Sequence, residues 1–238
     1  MVNFQVTGNF WVDKEGFATF FTNIQKNNQA LFPHKLNIES YENFMYNLKR
    51  WSGQKSITLY QFLGIFLAVY QETGGKFESI SEIGSKDYFA NTAYGYKARG
   101  RGYIQVTWDY NYRKVLNALG YNYDALTSEE LDILFLENEK VAFGAVRIML
   151  LEESLLAKAF RELSQGRFAS FGTRLNGSSS YGNLLENRAN FILKALNGKK
   201  LQNSLFLRNK RVIYRSILIG LACVGVGMVI YSIRNNKE

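Results

Sequence analysis

Apolar residues recur at three- and four-residue intervals through most of this chain, the period of helices with one buried face. Lys14 to Gln29 sets Phe17, Phe20, Phe21 and Ile24 at that spacing, and Ile38 to Trp51 does the same with Tyr41, Phe44, Met45, Leu48 and Trp51. Leu59 to Tyr70 is apolar on nearly every face, with Gln61 its one polar residue and Thr58 placed to cap it. Thr127 to Glu130 has the spacing of a capping box and opens a long helix or a broken pair running from about Glu129 to Glu153. Further helices are expected from about Ser154 to Leu163, stopped by Gly166, and from Asn183 to Leu196, closed by Asn197 and Gly198.

Two stretches break this period. Ser79 to Thr107 mixes glycine, tyrosine and arginine without repeat, and long irregular segments inside compact domains are often functional. Its last residues, Tyr103 to Thr107, alternate briefly as a short strand does. The second stretch is Ser216 to Ile233, SILIGLACVGVGMVIYSI, which carries no charge. With Val212, Ile213 and Tyr214 upstream, interrupted by Arg215, it approaches the roughly 20 residues needed to span a bilayer core. The organisation expected is therefore a domain over 1–198, a basic linker over 199–211, a transmembrane anchor over 212–233 and a polar tail over 234–238. The fold class expected is mainly α: a helical domain with a small irregular or β segment, plus the C-terminal transmembrane helix. The first twelve residues suggest either a short strand or an arm against another chain. They lack the basic region and apolar stretch of a secretory signal.

Charge location refines this picture. Of the net +9, residues from Arg208 onward contribute +5, leaving +4 over the first 207. The excess sits beside the expected span, where it would meet anionic headgroups, so the basic balance does not argue for nucleic acid. A bilayer is the expected partner of the C-terminal helix. Positive charge is heavier on the N-terminal flank of the span, which would leave the large domain on the cytoplasmic side or on the matching side of a derived membrane. The modest surplus on the domain would suit a polyanionic substrate such as a bacterial cell wall.

Few chemistries are open to this composition. His34 is the only histidine and Cys223 the only cysteine. A zinc site of His and Cys ligands is therefore not available, and no metal or cofactor is expected. A Ser-His-Asp triad would depend on His34, which has no supporting motif. No phosphate loop of the GxxxxGK[ST] type is present. Gly100-Arg101-Gly102 reads, in isolation, as a solvated basic turn. Carboxylates remain. Glu72 lies where the apolar helix runs out into Gly74 and Gly75. The negative end of the helix dipole and nearby buried surface both favour its protonated form, which general acid catalysis requires. Glu78 and Glu82 follow in the loop, and either suits the second carboxylate of a glycosidase pair.

Several motifs then occur in order: Glu72-Thr73-Gly74-Gly75, Arg99-Gly100-Arg101-Gly102-Tyr103-Ile104-Gln105-Val106-Thr107-Trp108-Asp109-Tyr110-Asn111-Tyr112, Leu175-Asn176-Gly177, and Asn187-Arg188. Together they resemble glycoside hydrolase family 19, the chitinases and phage endolysins with a helical, lysozyme-like fold. The resemblance covers about residues 55–196. It implies Glu72 as general acid and Thr107 as the residue that helps hold the attacking water. It implies Gln105, Tyr110, Asn111 and Asn176 along the sugar cleft, and Arg188 as a charged partner beneath the site. For the second carboxylate, Glu82 fits the spacing best and Glu78 is the alternative. Gln71 stands where the chitinases often have histidine, and no disulfides are possible, so the likeness is to the phage branch.

The function these features imply is a membrane-anchored peptidoglycan hydrolase acting on the β-1,4 glycan strands with inversion. It would sit in a virion membrane for entry or in the host inner membrane for lysis. A chitinase, a lytic transglycosylase and an inactive glycan-binding protein are the alternatives.

Overall fold

The computed structural model describes residues 14–51, 57–151 and 155–196. The chain divides into two compact units, Met1–Phe191 and Ile192–Glu238. All the packing described below belongs to the first.

Three helices form the first half: α1 (Lys14–Lys26), α2 (Ile38–Trp51) and α3 (Leu59–Glu72). At the start of α3, Thr58 accepts from the Gln61 backbone N–H at 3.2 Å and the Gln61 side chain accepts from the Thr58 N–H at 2.9 Å. This reciprocal cap satisfies two of the orphan donors of the first turn. Every residue of α3 from Phe62 to Tyr70 is buried. Aromatic rings are its packing partners. Phe17 and Phe21 of α1 meet Phe62 and Phe66 edge-on at 4.8 and 4.7 Å, and Tyr41 of α2 meets Phe66 at 5.7 Å. Such edge contacts add about 0.5–1.5 kcal/mol each beyond the area they bury. An all-round apolar helix is thus explained as the core of the domain.

The end of α3 is tightly specified. Thr73 donates its hydroxyl to the Val69 carbonyl at 2.7 Å and accepts from the Phe77 N–H at 3.0 Å. Gly75 has a φ of +76°, and a Cβ there would lie 2.6 Å from the Lys35 carbonyl oxygen. Only glycine fits, and the turn beyond Glu72 is held by this close approach.

The irregular segment becomes a scaffold of short pieces. Strands β1 (Ile80–Ser81) and β2 (Arg101–Gly102) pair antiparallel, Ile80 opposite Gly102 and Ser81 opposite Arg101. Between them lies a short helix, α4 (Lys86–Ala90), capped by Ser85. The strand expected at Tyr103 to Thr107 is instead a turn that brings Val106 back to bridge Arg101. Gln105, at φ +51°, reverses the chain there, so the brief alternation does not extend into a ladder.

Helices α5 (Asp109–Leu119), α6 (Ser128–Glu137), α7 (Glu139–Leu151) and α8 (Leu155–Glu162) follow. The expected cap at Thr127 and Glu130 is formed, and the long helical stretch is a broken pair divided at Asn138, whose ψ of 101° is not helical. A helix absent from the sequence expectations, α9 (Phe168–Asn176), ends at Gly177. The last helix, α10, runs over 179–196 and so starts four residues before the expected Asn183. At the other end of the chain, α1 stops at Lys26, three residues before the expected Gln29.

One part of the expected fold class is corrected. The described residues form a mainly α fold with a small β segment, but no helix among them is long and apolar enough to cross a membrane. The most apolar, α3, has 14 residues. At 1.5 Å per residue that is about 21 Å, short of a hydrocarbon core of about 30 Å. The stretch over 212–233 that was expected to span, with its linker, tail and the first twelve residues, lies outside the described residues.

Candidate active site

Glu72 is the last residue of α3, and its carboxyl is largely buried. Burial pushes its pKa up, the nearby Tyr181 hydroxyl pulls it partly back, and the charge of Glu82 raises it further. Tyr181 comes from the first turn of α10. Its own hydroxyl is buried and makes no hydrogen bond of ordinary geometry, yet it interacts electrostatically with Glu72. No hydrogen bond of ordinary geometry reaches the Glu72 carboxyl from the described residues. A carboxyl so placed keeps its proton more readily than a solvated glutamate.

Glu82 follows β1 and is held quite differently. Its Oε1 accepts from the Tyr94 hydroxyl at 2.9 Å and its Oε2 from the Gly100 N–H at 3.0 Å. Its own N–H donates to the Gly100 carbonyl at 2.7 Å. Both carboxylate oxygens act as acceptors, the arrangement an ionised carboxylate requires. The two acidic groups near each other are therefore unlike: one buried and poorly solvated, the other fixed by two donors. That difference is what an acid and a base need when they work at the same pH.

Glu78 is elsewhere. It is exposed, and its Oε1 lies 3.4 Å from the Ser40 hydroxyl of α2. Of the two candidates for the second carboxylate, Glu82 is the one whose charge reaches Glu72.

The remaining sequence candidates fall into three groups. Gln105 and Thr107 sit on the turn after β2. The Gln105 amide donates to the carbonyls of Gly102 at 3.0 Å and Ile80 at 3.2 Å, so its NH2 clips the two strands together. The Thr107 hydroxyl donates to the Gln105 carbonyl at 2.9 Å, which leaves its oxygen able to accept from a water. Asn111 is tied to the same turn through the Thr107 carbonyl at 2.8 Å, and Tyr110 is 65% exposed. Tyr110 lies near-parallel to Trp108 at 6.3 Å, and the Tyr94 ring meets Trp108 edge-on at 5.8 Å. This aromatic surface begins at the residue that holds Glu82.

Arg188 forms the second group. It is buried under the end of α3, donating to the Leu31 carbonyl at 2.7 Å and to the Gln71 side-chain oxygen at 2.6 Å. It therefore supports the residue before Glu72 rather than the carboxyl itself. Burial lowers its pKa, an effect partly offset by Tyr70 and Tyr181. Asn176, the third case, is exposed as the last residue of α9, and no hydrogen bond joins it to either carboxylate.

Residue-by-residue reading missed Tyr94 and Tyr181. Tyr94 stood in the aperiodic Gly- and Tyr-rich segment, a signal of function that did not single it out. Tyr181 had none, because α10 was expected to start after it. The turn at Arg101 is not solvated, contrary to its reading in isolation. Arg101 is fully buried and Arg99 nearly so, and both bond Asp132 of α6, at 2.6 and 2.5 Å. The basic turn is thus an internal charge cluster rather than a solvated one.

No protein-family model matches the chain, and no curated protein matches it. Among solved structures, the crystal structure of a chitinase C mutant is similar to it. The two are 17% identical with a TM-score of 0.47, over 71% of this chain and 90% of that one.

Proposed function

We propose that this chain is a glycoside hydrolase that cuts the β-1,4 glycan strands of peptidoglycan by inversion. Glu72 gives its proton to the glycosidic oxygen as the bond to the leaving sugar breaks. Glu82 takes a proton from a water, assisted by Thr107, and that water attacks the anomeric carbon from the opposite face. Trp108 and Tyr110 offer flat apolar surfaces to the sugar rings.

The observation that carries this reading is the unlike pair itself. A buried glutamic acid with a raised pKa lies within electrostatic reach of a carboxylate both of whose oxygens accept hydrogen bonds. Positioned acid or base groups contribute about 10²- to 10⁴-fold to rate. The +4 carried by the first 207 residues supports an anionic wall polymer over neutral chitin, since it would draw such a polymer toward the domain.

Turbidity loss of purified walls and release of sugar from chitin, measured side by side, test the substrate. Glu72→Gln is expected to lower kcat/KM on walls by about 10³-fold. The first product formed should be the α-anomer, read by NMR during the reaction. An anhydro sugar would instead mean a lytic transglycosylase, and normal clearing by Glu72→Gln would remove Glu72 from the mechanism.

A further inference from the structure

We infer that Asp132, on α6, is a positioning residue for Glu82, acting through the two strands that hold it. The inference rests on the hydrolase reading above for its catalytic consequence, though not for its geometry.

Asp132 makes three bonds, and each leads to the neighbourhood of Glu82. Its Oδ1 accepts from the Ser81 hydroxyl at 2.7 Å, and Ser81 is the residue before Glu82 on β1. The same oxygen accepts from Arg101 Nε at 2.6 Å, and Oδ2 accepts from an Arg99 nitrogen at 2.5 Å. Arg99 and Arg101 flank Gly100, which binds Glu82 through both its N–H and its carbonyl. One carboxylate thus fixes the strand that carries Glu82 and the strand that anchors it.

The arginines have no slack. Arg101 also donates to the Tyr112 hydroxyl at 2.9 Å, to the Lys97 carbonyl at 2.8 Å and to the Ser128 hydroxyl at 2.8 Å. Arg99 lies over the Tyr96 ring at 4.1 Å and donates to the Tyr96 carbonyl at 2.9 Å. Ser128 opens α6 and Asp132 lies one turn later, so a single helix face presents both acceptors. Gly100 itself is packed under Gln105, because a Cβ there would meet the Gln105 side-chain oxygen at 2.5 Å. With the Gly100 peptide pinned on each side, the N–H that the Glu82 carboxylate accepts from is held in place. Misplacement of a reacting group by about 1 Å can cost on the order of 100-fold in rate.

The test uses two variants of the full chain, each made in the native background and in a Glu82→Gln background. Asp132→Asn removes one acceptor from the cluster. Ser81→Ala removes only the bond to β1 and leaves both arginine pairs intact, so it serves if Asp132→Asn fails to fold. Expected for the native background is a fall in kcat of about 10- to 100-fold with KM within about twofold. In the Glu82→Gln background the same substitution should cost nothing further, because the group being positioned is already absent. Crystal structures of the folded variants should show the Glu82 carboxylate moved off the Gly100 N–H by more than hydrogen-bond distance. Equal losses in both backgrounds, or a Glu82 carboxylate still on Gly100, would overturn the inference. If Glu82→Gln alone hydrolyses walls at the normal rate, the hydrolase mechanism fails, and the crystallographic displacement still decides the positioning role.

Discussion

The charged clusters around Asp132 and around Glu72 are built on opposite rules. Around Asp132, two guanidinium groups meet one carboxylate, two hydroxyls and four main-chain carbonyls. Each charge there is paired and hydrogen-bonded. Around Glu72, a largely buried carboxyl feels the charge of a second carboxylate, and the Tyr181 hydroxyl that acts on it makes no ordinary hydrogen bond. Saturated polar clusters hold a fold in one arrangement, whereas an under-satisfied one stores a displaced pKa. The first cluster is framework and the second is where protons can move.

The largest test of that contrast is catalytic. Glu72→Gln should abolish all but about a thousandth of the activity on walls, while the protein stays folded. Asp132→Ala should act on the fold as well as on kcat. It leaves Arg101, fully buried, without its counter-charge, and breaking one side of a buried pair costs about 3–5 kcal/mol. Chemical denaturation at neutral pH reads that loss.

A smaller effect of opposite sign is expected at Glu72. Its pKa is raised in the fold, so its contribution to stability is full below the unfolded value of about 4.3 and is lost as pH rises through the folded value. Glu72→Gln carries no such dependence. The variant should therefore match the native protein near pH 4 and exceed it at neutral pH. Thermal melts at a series of pH values test this. A gap that closes toward neutral pH would show that Glu72 is not strained in its charged form.

Tyr181→Phe is the finest probe. Tyr181 pulls the Glu72 pKa down, so its loss should move the basic limb of the kcat/KM profile to higher pH. Stability should change by less than about 1 kcal/mol, because the hydroxyl gives up no ordinary hydrogen bond. A basic limb that stays in place would separate Tyr181 from the acid.

Much of the framework was legible in the sequence because it depends on short-range rules. Thr58 ahead of the apolar run and Thr127 three residues before Glu130 announce helix starts whatever the rest of the chain does. Glu72 was legible for a similar reason: its position after an apolar helix already makes its charge costly. What stayed hidden depends on long-range contact. Nothing near Arg99 or Arg101 reveals that Asp132, about thirty residues on, will pair with both of them. The choice between Glu82 and Glu78 needed the strand pairing that turns one toward Gly100 and leaves the other by Ser40. The α9 helix escaped notice because Gly172 interrupts its apolar pattern. That glycine is there for packing, since a Cβ would lie 2.8 Å from the Gly182 Cα of α10.

The central claim is that Glu72 is held protonated by burial and by the charge of Glu82, and a ¹³C NMR titration of the glutamate side-chain carboxyls in the full chain tests it most directly. The Glu72 midpoint should lie above the ordinary glutamate value of about 4.3, and it should fall when Glu82→Gln removes the neighbouring charge. A Glu72 midpoint at or below the ordinary value, unmoved by Glu82→Gln, would contradict the account.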